Sequence, residues 1–591
     1  MPNPYVVIGG IAVGVVVAAF GIFAVPGWVE MAQDSNAQRD LGNIRDAQVN
    51  QYTLNKSYGA DLASFEKDSD WGIDFNLSDG IKDYELTTSK NFQKWCASIQ
   101  SASGRWFATT GENTAIASGK TSEEALANAG CDLSEPVIPV VPIITAAYTL
   151  NCPTTTEVRV PIGGARGTLD WGDGTIVEAA ADGELPAHTL TGGQEYKITF
   201  TGTFDNLNTT TFNETGAMTY RVLDAARLCY RSMDLWDERS GTTDASYAFG
   251  GMRNLTKVPG NLPSTVDSLV AAFDIATSFN DNAITTWNVG NVRHFDAMFS
   301  YATQFNQDIG HWDVGRATTM NAMFAEARKF NQPLNDWNVS QVTDFGRMFR
   351  MATSFNQDLD HWKTSSAIRM EDMFWQAAAF NGNVTTWDTR NVIRMDTMFA
   401  GATTFNQPIG GWDVSNLQNS ALMFTNAVRF NQPLNDWDMG AVRDMSWMFQ
   451  GAAQFDQPLD KWDTSAATTM ASMFSAASAF NRDISMWDTS KVTTMESMFA
   501  GAKKFNAPVQ KWNIRSVTAM ENMFANTDAF NQPVGSWDVS KVRTFYYMFL
   551  NAKAFDQDVS NWTNVKADPQ VKDRSWFANL LATSKLPANL R

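Results

Sequence analysis

Large apolar residues recur through the second half of the chain at one fixed interval, and the positions between them are mostly small or polar. Tryptophan stands at positions 287, 312, 337, 362, 387, 412, 437, 462, 487, 512, 537 and 562, a period of 25 residues without slip. The eleventh residue after each Trp is Met and the twelfth is Phe, from Met298-Phe299 to Met548-Phe549. The eighth is Met in most periods, with Phe295, Phe345 and Phe545 as aromatic substitutes and Ser420 as the one polar lapse; the eighteenth is Phe, from Phe305 to Phe555. A position that is large and apolar in every period must be stacked on its own copies, so the pattern predicts a solenoid of about twelve coils in which each coil is stable only against its neighbours. The Met-Phe-x-x-Ala spacing predicts a short helical turn in each coil, and the Val and Thr residues after Trp predict a short strand. Asn or Asp follows the last Phe throughout, from Asn306 to Asp556. Such a column is expected to bond the backbone of its own and the next coil.

The first half carries different patterns. Tyr5 to Val29 has no charged side chain, and as a helix it would reach ~37 Å, enough to cross a bilayer. Gly10, Gly14 and Ala18 put small residues on one stripe of that helix, either as a close-packing assembly face or because glycine is common in membrane helices. An amphipathic stretch follows from Glu30 to Gln48, then strand-like runs at Trp71 to Leu77, Ile81 to Thr87 and Trp106 to Thr110. Pro136, Pro139 and Pro142 mark a stiff linker. Beyond it, alternating runs bracket Asp170-Trp171-Gly172-Asp173-Gly174-Thr175, a tight-turn sequence. Asp568-Pro569 reads as the start of a closing helix through Leu581. The fold class is therefore multidomain α+β. Residues 1–135 form a long N-terminal hydrophobic helix with a small head and 136–148 a linker; 149–216 are a β-sandwich-like spacer, as the resemblance of the Asp170 to Thr175 turn to polycystic-kidney-disease-like sandwiches implies; 217–278 make a degenerate solenoid cap, 279–562 the solenoid, and 563–591 a C-terminal helical cap.

Charge and cysteine usage narrow the chemistry. A net charge of −18 over 591 residues excludes a nucleic-acid binder, which needs clustered Lys and Arg against phosphate. Cys96, Cys131, Cys152 and Cys229 all precede the repeat. Their even number suits two disulfides in an oxidising compartment, with three connectivities possible in principle; Cys96 with Cys131 and Cys152 with Cys229 is the pairing expected from spacing. Only four histidines occur, none in metal-ligand spacing, and no nucleophile motif or phosphate loop is found. No enzyme activity and no cofactor are expected. Calcium on Asp170 and Asp173, or on the Asp column after Trp, is the one metal reading, set against simple turn formation. The Met column is core packing rather than a soft-metal site.

The phrase Trp412-Asp413-Val414-Ser415, continuing to Met423-Phe424, Ala427 and Phe430-Asn431-Gln432, resembles the BspA-type repeat of bacterial surface proteins, relatives of leucine-rich repeats. The apolar-then-amphipathic start and late Cys96 to Cys131 loop resemble a type IV pilin, although Tyr5 stands where pilins usually carry Glu. The Asp170 to Thr175 turn resembles that of polycystic-kidney-disease-like sandwiches. Together the resemblances imply an extracellular or cell-surface protein of a prokaryote: a filament subunit that self-assembles through its N-terminal helix, resides in the membrane before assembly and displays the solenoid for adhesion. A single-pass membrane-anchored adhesin that does not polymerise is the alternative. Ligand specificity, for a surface glycan or protein, is expected in the columns that vary between coils. These are the residue before Trp, as at His311, His361 and Lys461, and the ninth and tenth after it, as at Trp447, Tyr546 and Tyr547.

Overall fold

A computed structural model of the chain describes residues 83–88, 95–100, 106–110, 117–119, 125–126, 143–208, 210–212, 218–220, 224–562, 565 and 577–590. Two compact units divide at Val141 and Pro142. In the first, β1 (Asp83–Thr88), β2 (Trp95–Gln100), β3 (Trp106–Thr110) and β4 (Ala117–Gly119) pair in sequence order as an antiparallel meander.

The second unit opens with an antiparallel five-stranded sheet. Its strands are β5 (Ile144–Asn151), β8 (Arg166–Asp170), β9 (Ile176–Glu178), β11 (Glu195–Thr203) and β15 (Tyr230–Trp236), in the order β15-β5-β11-β8-β9. Short pairs flank it: β6 (Thr156–Val158) with β10 (His188–Leu190), β7 (Ile162–Gly163) with β12 (Asn206–Leu207), and β13 (Thr210–Phe212) with β14 (Met218–Tyr220). Alternation decides which face is buried: Tyr196, Ile198 and Phe200 of β11 turn inward while Glu195 and Lys197 stay in solvent. The bridge Cys152–Cys229 ties the start of the sheet to the end of α1 (Asp224–Arg227), across 77 residues. β5 thus starts in the proline-marked segment, and β15 is drawn from residues 217–278.

The solenoid is built from turns. Consecutive coils meet through single parallel β-bridges, as at Thr319 to Asp344, Asp344 to Arg369 and Arg369 to Arg394. Around each bridge the N–H groups of alternate residues leave the coil. Met320, Ala322, Phe324 and Glu326 donate to the carbonyls of Asp344, Gly346, Met348 and Arg350 at 3.1, 2.8, 2.8 and 2.7 Å, and of the residues between them Met323 and Ala325 bond three back within the coil, Ala325 N–H to Ala322 at 3.0 Å, while Asn321 N–H goes to Asp296 Oδ1 at 2.9 Å. This alternation needs left-handed backbone at the tenth and fourteenth positions after Trp. There φ is 56° at Ala322 and 60° at Glu326, 57° at Asp372 and 55° at Gln376, and 59° at Leu422 and 56° at Asn426. Glycine takes the fourteenth position at Gly401, Gly451 and Gly501, where φ lies between 66° and 72°.

Inside, the Met, Phe and Trp columns are fully or almost fully buried in every coil. Phe424 stacks on Phe430 of its own coil at 4.1 Å between centroids and on Phe399 and Phe449 of the flanking coils at 5.8 and 5.5 Å. Two polar devices finish the interior. The indole N–H of Trp437 donates to the Ile409 carbonyl at 3.1 Å, and that of Trp462 to Leu434 at 2.8 Å. The Asn column accepts from the following coil: Asn356 N–H donates to Asn331 Oδ1, and Asn381 N–H to Asn356 Oδ1. Asp456 continues the column without a break, taking the N–H of Asn481 at 3.0 Å.

Both ends are closed. The sheet caps the N-terminal coil, with bridges from Asn206 to Asp244 and from Ser232 to Lys257 and with Trp236 edge-on to Phe249 and Trp287. At the other end Phe577 meets Phe549 edge-on and its carbonyl accepts the Phe549 N–H at 2.8 Å.

These observations correct the α+β expectation. Among the described residues α1 is a four-residue helix, residues 125–126 are helical, and the remaining helical pieces are short 3-10 turns, including Thr583–Lys585 and Ala588–Leu590 in the expected C-terminal helical cap. The Met-Phe-x-x-Ala segment is no helical turn because a helix keeps every N–H inside its own strand of chain, whereas here alternate N–H groups hold the next coil. No helix among the described residues is long and apolar enough to cross a membrane, so the pilin-like and transmembrane readings gain no support. Tyr5 to Val29, with Gly10, Gly14 and Ala18, lies outside the described residues, as does Cys131 and with it the Cys96 pairing.

Candidate interaction surface

With the Trp, Met and Phe columns buried, much of what varies between coils faces solvent. The residue before Trp is exposed in coil after coil, including His311, His361 and Lys461, and Met486 is 76% exposed. These side chains reach back to the preceding coil. His311 Nε2 lies 2.6 Å from the Thr285 carbonyl, His361 Nδ1 3.3 Å from Asp336 Oδ1, and Lys461 Nζ 2.7 Å from Asp436 Oδ1. Such exposed pairs contribute little to stability; they set a charge pattern along one strip.

The second strip is the bridge face, from the seventh to the fourteenth residue after Trp. The ninth position departs from the expectation of exposure: Glu371 and Ser446 are each 2% exposed. Side chains there are taken up by the seventh position of the same or the next coil. Thr319 donates to Asp296 at 2.5 Å, Asn321 to Asp344 at 3.0 Å, and Ser446 pairs with Thr469 at 2.8 Å. The tenth position stands further out, with Trp447 at 40% exposure, and Tyr546 and Tyr547 are half-buried with their rings 3.9 Å apart. Two further aromatics on this face were missed in the sequence reading. Tyr301 is 43% exposed at the fourteenth position, and Trp375 lies at the thirteenth under the Arg350 guanidinium at 4.3 Å. Their signal was an aromatic in columns otherwise occupied by small or polar residues.

Between Asp344 and Asp396 the bridge face carries a mosaic of opposite charges. Arg347 pairs with Asp372 at 3.3 Å, Arg394 with Asp396 at 2.9 Å, and Arg369 with both Asp344 and Glu371. Burial lifts the Asp372 carboxyl above its usual range, with Arg347 opposing. At Glu371 burial acts in the same sense, but the hydrogen bond from Arg369 and its other polar partners outweigh it and the carboxyl titrates below its usual range.

The aspartates considered for calcium are engaged in turns. Asp170 Oδ1 accepts from Gly172 N–H at 2.8 Å and Asp173 Oδ1 from Thr175 N–H at 2.9 Å. Gly172 is required there, since φ is 77° and a Cβ would sit 2.5 Å from the Lys197 carbonyl oxygen. Asp173 Oδ2 also meets His188 Nε2 at 2.6 Å, and that hydrogen bond chiefly holds its carboxyl down at about 2. In the column after Trp, Asp413, Asp463 and Asp488 each accept the N–H two residues on.

A profile described as "Mycoplasma protein of unknown function, DUF285" matches six overlapping stretches, 242–362, 267–387, 353–458, 377–486, 432–516 and 468–585. Together they run from 242 to 585, more than half of the 591 residues. The chain belongs to the DUF285 family. No curated protein and no solved structure matches it. The DUF285 matches begin at the first coils laid on the sheet and take in the whole array of bridges from Asp244 to Thr544.

Proposed function

We propose that this DUF285 chain is a non-enzymatic interaction scaffold, displayed outside a prokaryotic cell, whose solenoid presents variable strips to another surface for adhesion. One observation carries the reading: the Trp, Met and Phe columns are held constant inside while the residue before Trp stays exposed and changes from coil to coil. Constant columns make the coil, and variable exposed ones are free to make contacts. The resemblance of the repeat phrase to that of BspA-type surface proteins supports display on a cell, and the Cys152–Cys229 bridge suits an oxidising compartment. Single contacts on such a surface are weak; crowded display, as subunits of an extracellular filament or as separate copies on the cell, raises effective concentration and turns them into avidity. The test coats beads densely or sparsely with the full chain and scores attachment to candidate cell surfaces. Dense beads are expected to attach and sparse ones to fail. Absence of attachment at any density sinks the adhesive reading and leaves the solenoid as architecture.

A further inference from the structure

We propose that the bridge face is a binding strip for an extended neutral polysaccharide, with Tyr301, Trp447 and the Tyr546–Tyr547 pair as its aromatic platforms; this rests on the adhesive reading above and names its ligand class. The platforms are ordered along the rod. They belong to the coils that start at Trp287, Trp437 and Trp537, so successive ones are six and four coils apart. At the ~4.8 Å spacing of bridged strands the gaps are ~29 and ~19 Å. Across the face they step from the fourteenth position to the tenth and ninth. One line therefore runs obliquely over the strip, rather than a patch.

The chemistry of that line selects its occupant. A protein partner is held by a central packed cluster of anchors, whereas here half-buried polar residues stand between the rings, Asp372 and Thr397 between Tyr301 and Trp447, and Ser497 and Asn522 between Trp447 and the tyrosine pair. A sugar polymer has the matching alternation: each ring offers an apolar C–H face to an aromatic plane and a rim of hydroxyls to carboxylates and amides. Arg347, Arg369 and Arg394 are bound to carboxylates, and the chain as a whole carries −18. An anionic polymer is disfavoured by that field.

The experiment is affinity electrophoresis of the full chain in gels containing a soluble neutral β-glucan, with pull-down on cellulose and chitin and with heparin as the anionic comparison. The wild type is expected to be retarded by a neutral polymer at both low and high salt, and far less by its disaccharide. Trp447→Ala and Tyr301→Ala should each weaken retention about tenfold, through the loss of one stacking contact in a multivalent set. Ile176→Ser, 65% exposed on β9 of the capping sheet and outside both strips, should leave it unchanged, and near-ultraviolet circular dichroism checks that each variant is folded. Three results overturn the proposal: no neutral polymer retards the chain, the aromatic variants bind as the wild type does, or binding is confined to heparin and vanishes with salt. Self-association lost in Trp447→Ala, without polysaccharide binding, assigns the face to a second copy and also overturns it. Bead adhesion that persists in Trp447→Ala and Tyr301→Ala refutes this strip while leaving the adhesive function standing.

Discussion

Replacing Ala476 by glycine should stabilise the solenoid, although in the helical turn suggested by the Met-Phe-x-x-Ala spacing the same change would destabilise it. Ala476 is an exposed residue at the fourteenth position with φ of 58°, and its N–H donates to the Ala500 carbonyl at 2.7 Å. An L-residue held in left-handed backbone costs about 1–2 kcal/mol. Glycine removes that cost but gives up about 0.5–1 kcal/mol through the greater freedom of its unfolded chain. The methyl group lost is exposed, so burial barely enters. The balance is a gain of about 0.5–1 kcal/mol, against a loss of about 1 kcal/mol for glycine in a helix interior. Gly501 supplies the reverse experiment. Its φ is 72°, and an added Cβ would come no closer than 3.7 Å to Ala476, so Gly501→Ala isolates the conformational cost and should lose a similar amount. Gly451→Ala should lose more, because its Cβ would fall 2.2 Å from Asn426 Oδ1. Urea unfolding followed by the buried tryptophans reads all three. A lower midpoint for Ala476→Gly, or a higher one for Gly501→Ala, refutes the left-handed assignment and the coil geometry built on it.

Three further outcomes follow from the interior and the sheet. Phe424→Ala should cost about 3–5 kcal/mol, and because it cuts stacking to both neighbouring coils it should split urea unfolding into two steps, whereas Phe549→Ala near the end should only fray the last coil; identical single transitions would contradict nearest-neighbour stacking. Asn406→Asp should be nearly neutral, since Asp456 already serves the same ladder, while Asn406→Leu leaves the Asn431 N–H without its 2.9 Å acceptor and should lose about 0.5–1.5 kcal/mol; equal midpoints for the two variants would show that the side-chain oxygen does not matter. Asp173 is held at about 2 against an ordinary 3.8, so the stability it contributes is present above the higher value and lost as pH falls from there through the lower one; in His188→Gln the carboxyl, followed by NMR, should titrate closer to its ordinary value, and an unmoved titration would remove His188 as the cause.

The interior was legible because repetition declares it. Met298, Phe299, Phe305 and their copies could only be core, and the Asn column could only satisfy backbone in an array lacking continuous strands. The coil path was hidden because the tenth and fourteenth positions hold side chains of every kind, from Glu326 and Met351 to Gln376, and only the recurrence of Gly401, Gly451, Gly501, Asn426 and Asn526 hinted at left-handed backbone. Burial of the ninth position at Glu371 and Ser446 was equally hidden. Glu371 looks like a surface residue until Arg369 is seen beside it, and that pairing exists only once the register is known. β15 joins the sheet although its sequence lies after α1, because strand order depends on contacts distant in sequence.

The alternating N–H groups also give the rod a direction. On the bridge face four donors leave each coil towards the one that follows it, so the two ends are chemically different: the last coil offers donors, and the first offers acceptors. The Phe577 carbonyl answers the former and β12 the latter, with Leu207 N–H donating to the Asp244 carbonyl at 3.2 Å. The ends are not interchangeable, while every interior junction is the same junction. A gene that duplicated or deleted one 25-residue unit would change the reach of the rod by one coil and leave both terminal fittings intact, making length an inheritable variable that can be adjusted without redesigning the fold.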